Sequence, residues 1–181
     1  MNSVIPEKGD NYVIKDGVLR FRYPAHFLMG FSLIPDFIGG GCKLGFGLQY
    51  GRRFGVYAEI NDIASPGKSD YSCTSDGTTS YGRIWTTGEE RGSLFSVTGG
   101  GTAVLYRHWS LYAGAGYGDW SYQWQDVDGL WAEVSDQSYK GLVLETGIAY
   151  QLSPSMSISI GVQTLGFNRY TMKIGLYAST D

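Results

Sequence analysis

The chain has 181 residues, enough for one domain with a full barrel or sandwich core. Its 27 glycines, 14 tyrosines and 5 tryptophans, beside only 5 prolines, favour many short strands over helices. A net charge of -3, with both signs scattered and no basic stripe, argues against nucleic acid as a partner.

Residues 1–24 are predicted to precede the main domain, which spans residues 25–181. The stretch "YVIKDGVLRFRY" indicates a small hairpin about Asp16 and Gly17. Two interpretations stay open: a lid across the barrel interior on the periplasmic side, or the remnant of a preceding domain. The first residues contain no apolar signal segment, so the protein is either cytoplasmic or has lost an export signal.

Eight runs of alternating residues predict eight strands in chain order. In the run at 155–165, Ile158 and Ile160 lie on one face while Ser159 lies on the other. The same alternation recurs throughout, with one apolar face and one small, polar or charged face. The predicted strands span 26–34, 41–50, 53–63, 93–106, 109–124, 130 or 141 to 152, 155–165 and 169–178.

The connections between these strands also alternate in length. Links after the second, fourth and sixth strands are tight: "YGRRF", "YRHW" and "LSPSM". Those after the first, third and fifth are longer, and 64–92 is the longest, whereas the seventh-to-eighth link, "GFNR", is a short exception. Tight turns therefore cluster at one rim and long loops at the other, as in an outer-membrane barrel with periplasmic turns and external loops. No apolar run is long enough for a transmembrane helix, which needs about 18 residues.

The small, polar face would line the interior of such a barrel. Four charged residues carry this interior parity and are expected to form a lumen polar network: Lys43, Glu59, Glu145 and Lys173. Each buried charge can find an opposite partner there, and eight strands leave just enough room to fill the middle with side chains. We therefore expect a packed polar lumen and no pore. Aromatic residues near strand ends fit an interfacial girdle: Tyr50, Phe54, Trp109, Tyr150 and Tyr170.

The chain resembles the small eight-stranded outer-membrane β-barrels of the OmpA and OmpX type. It is most similar to the barrel domains of Bacteroidetes-type outer-membrane proteins. The matching stretches are "YGRRFGVYAEIND", "LYAGAGYGDWSYQWQDVDGLWAEVSDQSYKGLVLETGIAY" and "SISIGVQTLGFNRYTMKIGLY". The resemblance implies an all-β, up-and-down transmembrane barrel in the bacterial outer membrane, in contact with its lipid.

Two other function classes stay open. A soluble lipocalin-like carrier is also an eight-stranded barrel, but its apolar face would point inward around a greasy ligand. With only 17% charged residues, the chain is poor in the charges that such an outer wall needs. The second is a membrane-embedded, lipid-modifying enzyme. His26 and His108 fall at the turn rim with no adjacent acid, so no catalytic residue is assigned and the protein is predicted not to be an enzyme.

The long loop and the following hairpin hold an unusual set of aromatic residues. They are Tyr71, Tyr81, Trp85, Trp120, Tyr122, Trp124, Trp131 and Tyr139. The functional interpretation is a rim that binds either a sugar or another outer-membrane or extracellular protein, because exposed Trp and Tyr anchor interfaces. The structural interpretation is that the rings pack on one another and stiffen a projecting hairpin.

No cofactor or metal site is predicted. Asp126 and Asp128 resemble the start of a calcium loop, but its twelfth position is Gln137 where a glutamate is required. Asp128 and Gly129 are instead predicted to form a hairpin turn. A disulfide between Cys42 and Cys73 stays open, but the lipid-facing parity of Cys42 makes the bridge awkward and favours free thiols.

Overall fold

The computed structural model describes residues 12–15, 18–21, 25–36, 41–61, 68–153, 155–167 and 169–179. Within these ranges no helix is long and apolar enough to span a membrane. The secondary structure of this part of the chain consists of strands joined by turns.

Eight strands form a closed antiparallel ring in which each strand pairs with its neighbours in sequence. They are β1 (His26–Asp36), β2 (Gly41–Gly51), β3 (Phe54–Asn61), β4 (Thr86–Tyr106), β5 (Trp109–Asp126), β6 (Tyr139–Ser153), β7 (Met156–Leu165) and β8 (Arg169–Ser179). Pairing of β8 with β1, from Ile174 opposite Leu33 to Ser179 opposite Leu28, closes the ring. The predicted eight-stranded up-and-down barrel is confirmed.

The fourth strand differs most from its prediction. It begins at Thr86 instead of residue 93, because residues 86–92 continue the ladder with the far half of β5. The ambiguous start of the sixth strand resolves into two separate strands, Trp131–Val134 and then β6. The first folds back onto β5, with Gln125 opposite Trp131.

Shorter strands complete the described chain. Tyr71–Cys73 lies parallel to Trp131–Val134, and Thr78–Thr79 pairs with Gly82–Arg83 in a small hairpin. Near the amino terminus, Tyr12–Lys15 pairs antiparallel with Val18–Phe21. The predicted turn residues Asp16 and Gly17 lie outside the described residues. The periplasmic position of this hairpin and a domain boundary at residue 24 stay predictions.

The outer wall of the ring is apolar and the inner wall is polar over most of its length. In β7 the exposure alternates residue by residue: Ile160 is 47% exposed and Ser159 is 5% exposed. Leu44 and Leu48 on β2 also point outward, as do Met172 and Leu176 on β8. A closed ring with this parity presents its apolar face to lipid, whereas a lipocalin-like carrier has the reverse parity.

The predicted girdle residues lie at the ends of the barrel. We call the end with the tight turns the turn end, and the opposite end the loop end. At the turn end, the rings of Trp109 and Tyr150 pack 4.8 Å apart, and Phe54 is exposed. Tyr170 is exposed near the loop end, at the start of β8. Amphipathic rings at both ends are typical of the two membrane interfaces.

Replacing Ile160 with arginine tests which face meets lipid. A charge on the lipid face near the membrane midplane should lower the free energy of unfolding from bilayers by ~2 to 4 kcal/mol. Equilibrium unfolding in liposomes measures this loss, with Ile160→Leu as the control. An effect of Ile160→Arg as small as that of Ile160→Leu would contradict the lipid-facing parity.

Candidate functional site: the barrel interior and the loop-end sheet

A buried ion cluster occupies the middle of the barrel. Lys173 is 1% exposed, and its Nζ lies 3.0 Å from Glu59 Oε2 and 2.6 Å from Glu145 Oε2. The three residues come from β8, β3 and β6, so the cluster forms only when the ring closes. The structure therefore brings together three of the four predicted lumen residues.

Every carboxylate oxygen of this cluster has a hydrogen-bond donor. On Glu59, Ser32 Oγ donates to Oε1 at 2.7 Å and Tyr177 Oη donates to Oε2 at 2.9 Å. On Glu145, Thr98 Oγ1 donates to Oε1 at 2.9 Å. These donors stabilise two carboxylates beside a single ammonium group, because hydrogen bonds to a charged form offset its lost hydration.

Lys43, the fourth predicted residue, lies nearer the loop end. Gly47 is the residue of β2 opposite Glu59. When only inward-facing residues are counted, Lys43 lies two positions farther toward the loop end. Its Nζ donates a hydrogen bond to the backbone oxygen of Gly92 at 3.0 Å. Lys43 thus contacts the extended part of β4.

Between these two levels the polar network continues through uncharged side chains. Ser32 Oγ also lies 3.0 Å from Asn61 Oδ1, and Asn61 Nδ2 donates to Ser96 Oγ at 3.1 Å. Gln163 Nε2 donates to the same serine oxygen at 3.0 Å. The sequence places Gln163 on the lumen side, whereas Ser32, Asn61 and Ser96 were not singled out, although they share the interior parity.

Three tyrosines fill the interior on the turn side of the ion cluster, and glycines make room for them. A Cβ at Gly47 would come within 3.0 Å of the Tyr177 ring, and one at Gly147 within 2.6 Å of the Tyr112 ring. A Cβ at Gly114 would overlap the hydroxyl of Tyr57. The rings of Tyr57 and Tyr112 pack edge to face, 5.6 Å apart. Gly47, Gly114 and Gly147 therefore leave the space that the tyrosine side chains occupy.

The loop end of the interior is apolar, unlike the wholly polar lumen predicted from the sequence. Five residues with interior positions form one buried cluster: Ile34, Leu94, Trp120, Val143 and Leu165, with Tyr139 packed against it. Trp120 is one of the predicted partner-binding aromatics, but it is buried in this layer beneath the guanidinium of Arg169, 4.9 Å away. An apolar layer above an ion cluster excludes water from it.

Two small cavities lie toward the turn end. One of about 20 Å³ is bordered by Glu59, Tyr57, Tyr112 and Tyr177. A second of about 70 Å³ shares Gln49 with the first and extends to His26 and Arg52. The ring of His108 packs 6.0 Å from that of Tyr150. The two histidines thus lie at the turn end, as the predicted topology requires.

Beyond the ring, part of the same sheet extends from the barrel at the loop end. It consists of Tyr71–Cys73, Trp131–Val134 and the far halves of β4 and β5, residues 86–92 and 120–126. We call it the loop-end sheet. It has its own buried cluster of Cys73, Tyr122, Ala132 and Val134, against which Tyr71, Ile84 and Trp124 pack. Most of the predicted partner-binding aromatics therefore stabilise the sheet or the barrel interior.

Two of the eight predicted aromatics are largely exposed. Tyr81 is 99% exposed at the tip of the Thr78–Arg83 hairpin, and Trp85 is 77% exposed just before β4. Val127 and Leu130 are also exposed, at the turn that follows β5. That turn is the one predicted from Asp128 and Gly129: Gly129 has a φ of 82°, and its amide donates to Asp126 O at 3.0 Å.

The loop-end sheet and the segments that join its strands are acidic. Residues 68–94 and 120–139 hold eight carboxylates and three cationic side chains: Asp70, Asp76, Glu89, Glu90, Asp126, Asp128, Glu133 and Asp136 against Lys68, Arg83 and Arg91. This part carries a net charge of -5 in a chain whose total is -3, which leaves +2 for the rest. A hydrogen bond from the Thr74 hydroxyl lowers the pKa of Asp76 to about 2, so this carboxylate stays ionised in mild acid.

The sheet is held together by side-chain bonds to its acids. Tyr71 Oη donates to Asp126 Oδ2 at 2.5 Å, which lowers the pKa of Asp126, and Asp126 Oδ1 accepts the amides of Asp128 and Leu130. Asp126 is therefore used inside the turn. Among the described residues, no group of three or more His, Cys, Asp or Glu side chains is placed to hold a metal ion.

Cys73 is a free, buried thiol, and burial raises its pKa. The side chain of Cys42 lies outside the described residues, so its state stays a prediction.

Replacing Lys173 with methionine should lower the free energy of unfolding by ~3 to 5 kcal/mol, because two buried carboxylates would lose their cation. The triple variant Lys173→Met/Glu59→Gln/Glu145→Gln should recover much of this loss, since no uncompensated charge remains. Denaturant unfolding in lipid measures both. Lys140→Met is the control: its exposed pair with Asp119, at 3.3 Å, should contribute only ~0 to 1 kcal/mol. A triple variant less stable than Lys173→Met would contradict the network.

Gly161→Ala tests whether a glycine leaves the space that a tyrosine side chain occupies. The new Cβ would overlap the Tyr112 hydroxyl and lie 2.7 Å from Thr146 O, so we expect a loss of ~1 to 3 kcal/mol. Gly101→Ala is the control, because its Cβ would meet its nearest atom at 3.8 Å. Unfolding in the Tyr112→Phe background should show a smaller effect of Gly161→Ala. Equal effects in both backgrounds would argue against this role of the glycine.

The fold can be compared with known proteins. No protein family model and no curated protein sequence match the chain. The outer-membrane protein Ail of Yersinia pestis, solved in a phospholipid bilayer nanodisc, matches with 13% identity over 86% of this chain and 99% of that one, at a TM-score of 0.53.

Two further solved structures have lower TM-scores. Crystalline Ail of Yersinia pestis, bound to the heparin analogue sucrose octasulfate, matches with 16% identity over 86% of this chain and 95% of that one, at a TM-score of 0.48. The de novo designed barrel TMB2.3 matches with 13% identity over 87% and 96%, also at 0.48. At such identities the likeness concerns the fold, which is that of the small outer-membrane β-barrels.

Proposed function

We propose that the protein is a surface component of the bacterial outer membrane that holds the loop-end sheet outside the cell for binding a macromolecular partner. One observation carries the proposal: a sheet with its own core stands beyond the barrel and exposes Trp85 at its tip. The tight turns then face the periplasm, as is usual for such barrels. We also propose, from the quoted sequence stretches, that the barrel belongs with the Bacteroidetes-type domains.

A passive barrel agrees with the contents of the interior. The apolar layer of Leu94, Trp120 and Leu165 lies above the ion cluster, and both are buried. A continuous aqueous path would have to pass both layers. We therefore propose that the barrel does not conduct ions and that its polar side chains serve stability. The described histidines lie at the turn end, away from the loop-end sheet, and we propose no catalytic role for either.

Partner binding can be tested with the protein in phosphatidylcholine nanodiscs. Immobilised extracellular proteins and neutral and acidic polysaccharides serve as candidate partners, and empty nanodiscs correct for lipid binding. We expect at least one immobilised partner to retain the wild-type protein. The Trp85→Ser variant should bind that partner with about tenfold lower affinity. Arg53→Gln, in a turn at the opposite end, should bind like wild type. Retention independent of Trp85, or no retention at all, would overturn the proposal.

The closed interior predicts that ion flux from liposomes carrying the protein equals that of empty liposomes. Potassium efflux with valinomycin absent provides the measurement, and a wide porin is the positive control. Efflux that rises in proportion to the amount of inserted protein would contradict a sealed barrel.

A further inference from the structure

We propose that Trp85, Val127 and Leu130, here called the apolar tip, dock a cationic protein segment that carries an apolar anchor. The proposal rests on the proposed function and adds the chemistry of the partner. The amide of Val127 donates to the backbone oxygen of Trp85 at 3.1 Å, and the amide of Asp126 donates to Leu130 O at 2.9 Å. These bonds bring three exposed apolar residues from two chain segments together at one end of the sheet.

The other tryptophans of this region already have partners. Arg91 places its guanidinium 4.0 Å from the ring centre of Trp131, and Arg169 lies 4.9 Å from that of Trp120. Trp124 donates from Nε1 to the hydroxyl of Tyr122 at 3.1 Å. Trp85 is instead 77% exposed. An indole face attracts a cationic side chain, and the fold itself uses that interaction twice within this region.

The surrounding charge selects the same partner. Glu89 and Asp128 are exposed, one on the strand that follows Trp85 and the other next to Val127. The net charge of -5 on this part of the chain attracts basic groups and repels acidic ones over a Debye length of about 8 Å at physiological salt. Sulfated glycans, nucleic acids and acidic lipids are therefore disfavoured as occupants.

The apolar tip consists of three residues, which favours a protein segment over a small cation as its partner. An apolar centre with a charged rim has the anatomy of a protein interface, in which a few aromatic anchors contribute most of the affinity. A partner with lysine or arginine around a leucine or phenylalanine would cover the apolar residues and pair with the acidic rim at the same time. A small cation would leave Val127 and Leu130 exposed.

The test uses the protein in phosphatidylcholine nanodiscs and three fluorescent peptides: one alternating lysine and leucine, one with glutamate in place of lysine, and one with serine. Fluorescence anisotropy against empty nanodiscs measures binding. The lysine peptide should bind wild type at least about tenfold more tightly than the other two. Trp85→Ser should weaken its binding about tenfold.

The charges have a matched control. Asp128→Asn should lower the affinity for the lysine peptide about threefold. Asp119→Asn should change this affinity little, because it removes an acid that is already paired with Lys140 at 3.3 Å. Raising the salt concentration from 50 to 500 mM should reduce peptide binding by the wild-type protein more than peptide binding by the Asp128→Asn variant.

Each other outcome overturns the inference. If the serine or glutamate peptide binds as tightly and depends on Trp85, the cationic class is wrong while the proposed binding surface stands. If no peptide depends on Trp85, the apolar tip does not dock such segments. The experiment with immobilised partners then tests separately whether the loop-end sheet binds a macromolecule.

Discussion

The interior of an eight-stranded barrel is just wide enough to be filled by side chains, and this limit governs the rest of the structure. Lys173 is its critical occupant, because a buried ammonium group must be compensated. Its carboxylates, Glu59 and Glu145, lie 114 and 28 residues away along the chain. The charge of Lys173 is therefore fully compensated only when the ring has closed in the correct register. A barrel with a shifted strand would lose both the ion pairs and the apolar outer wall, since a slip of one residue reverses every side chain.

The same volume limit explains several of the glycines on the inner face. A tyrosine that points into so narrow an interior needs small residues beside its ring. Tyr112 and Tyr177 fit because the residues opposite them, such as Gly161 and Gly47, have no Cβ to meet the rings. A glycine in a strand weakens it by itself, and the buried aromatic rings offset that loss. What looks like a weak polar face is one half of a packed interior.

The sequence predicts the eight strands and their parity well, because both follow from local alternation. It also places Glu59, Glu145 and Lys173 on the interior without pairing them, since the pairing depends on the stagger of distant strands. Local patterns could not reveal the apolar interior layer: Leu94 and Val143 have interior parity, but parity alone does not give depth. The extension of β4 to Thr86 was missed for a similar reason, because residues such as Gly88, Glu89 and Glu90 lack strand propensity and are ordered by pairing with β5.

The barrel and the loop-end sheet are built to different requirements. Packing fixes the residues of the barrel on both faces, with lipid outside and a filled interior within. The loop-end sheet has a separate buried cluster around Tyr122 and Val134, and its outer surface is bound by neither constraint. Trp85 contributes little to either core, and an exposed indole beside other apolar residues favours association. Stability therefore gives no reason for an exposed indole at this tip, in an acidic part of the chain, whereas recognition of a cationic partner does.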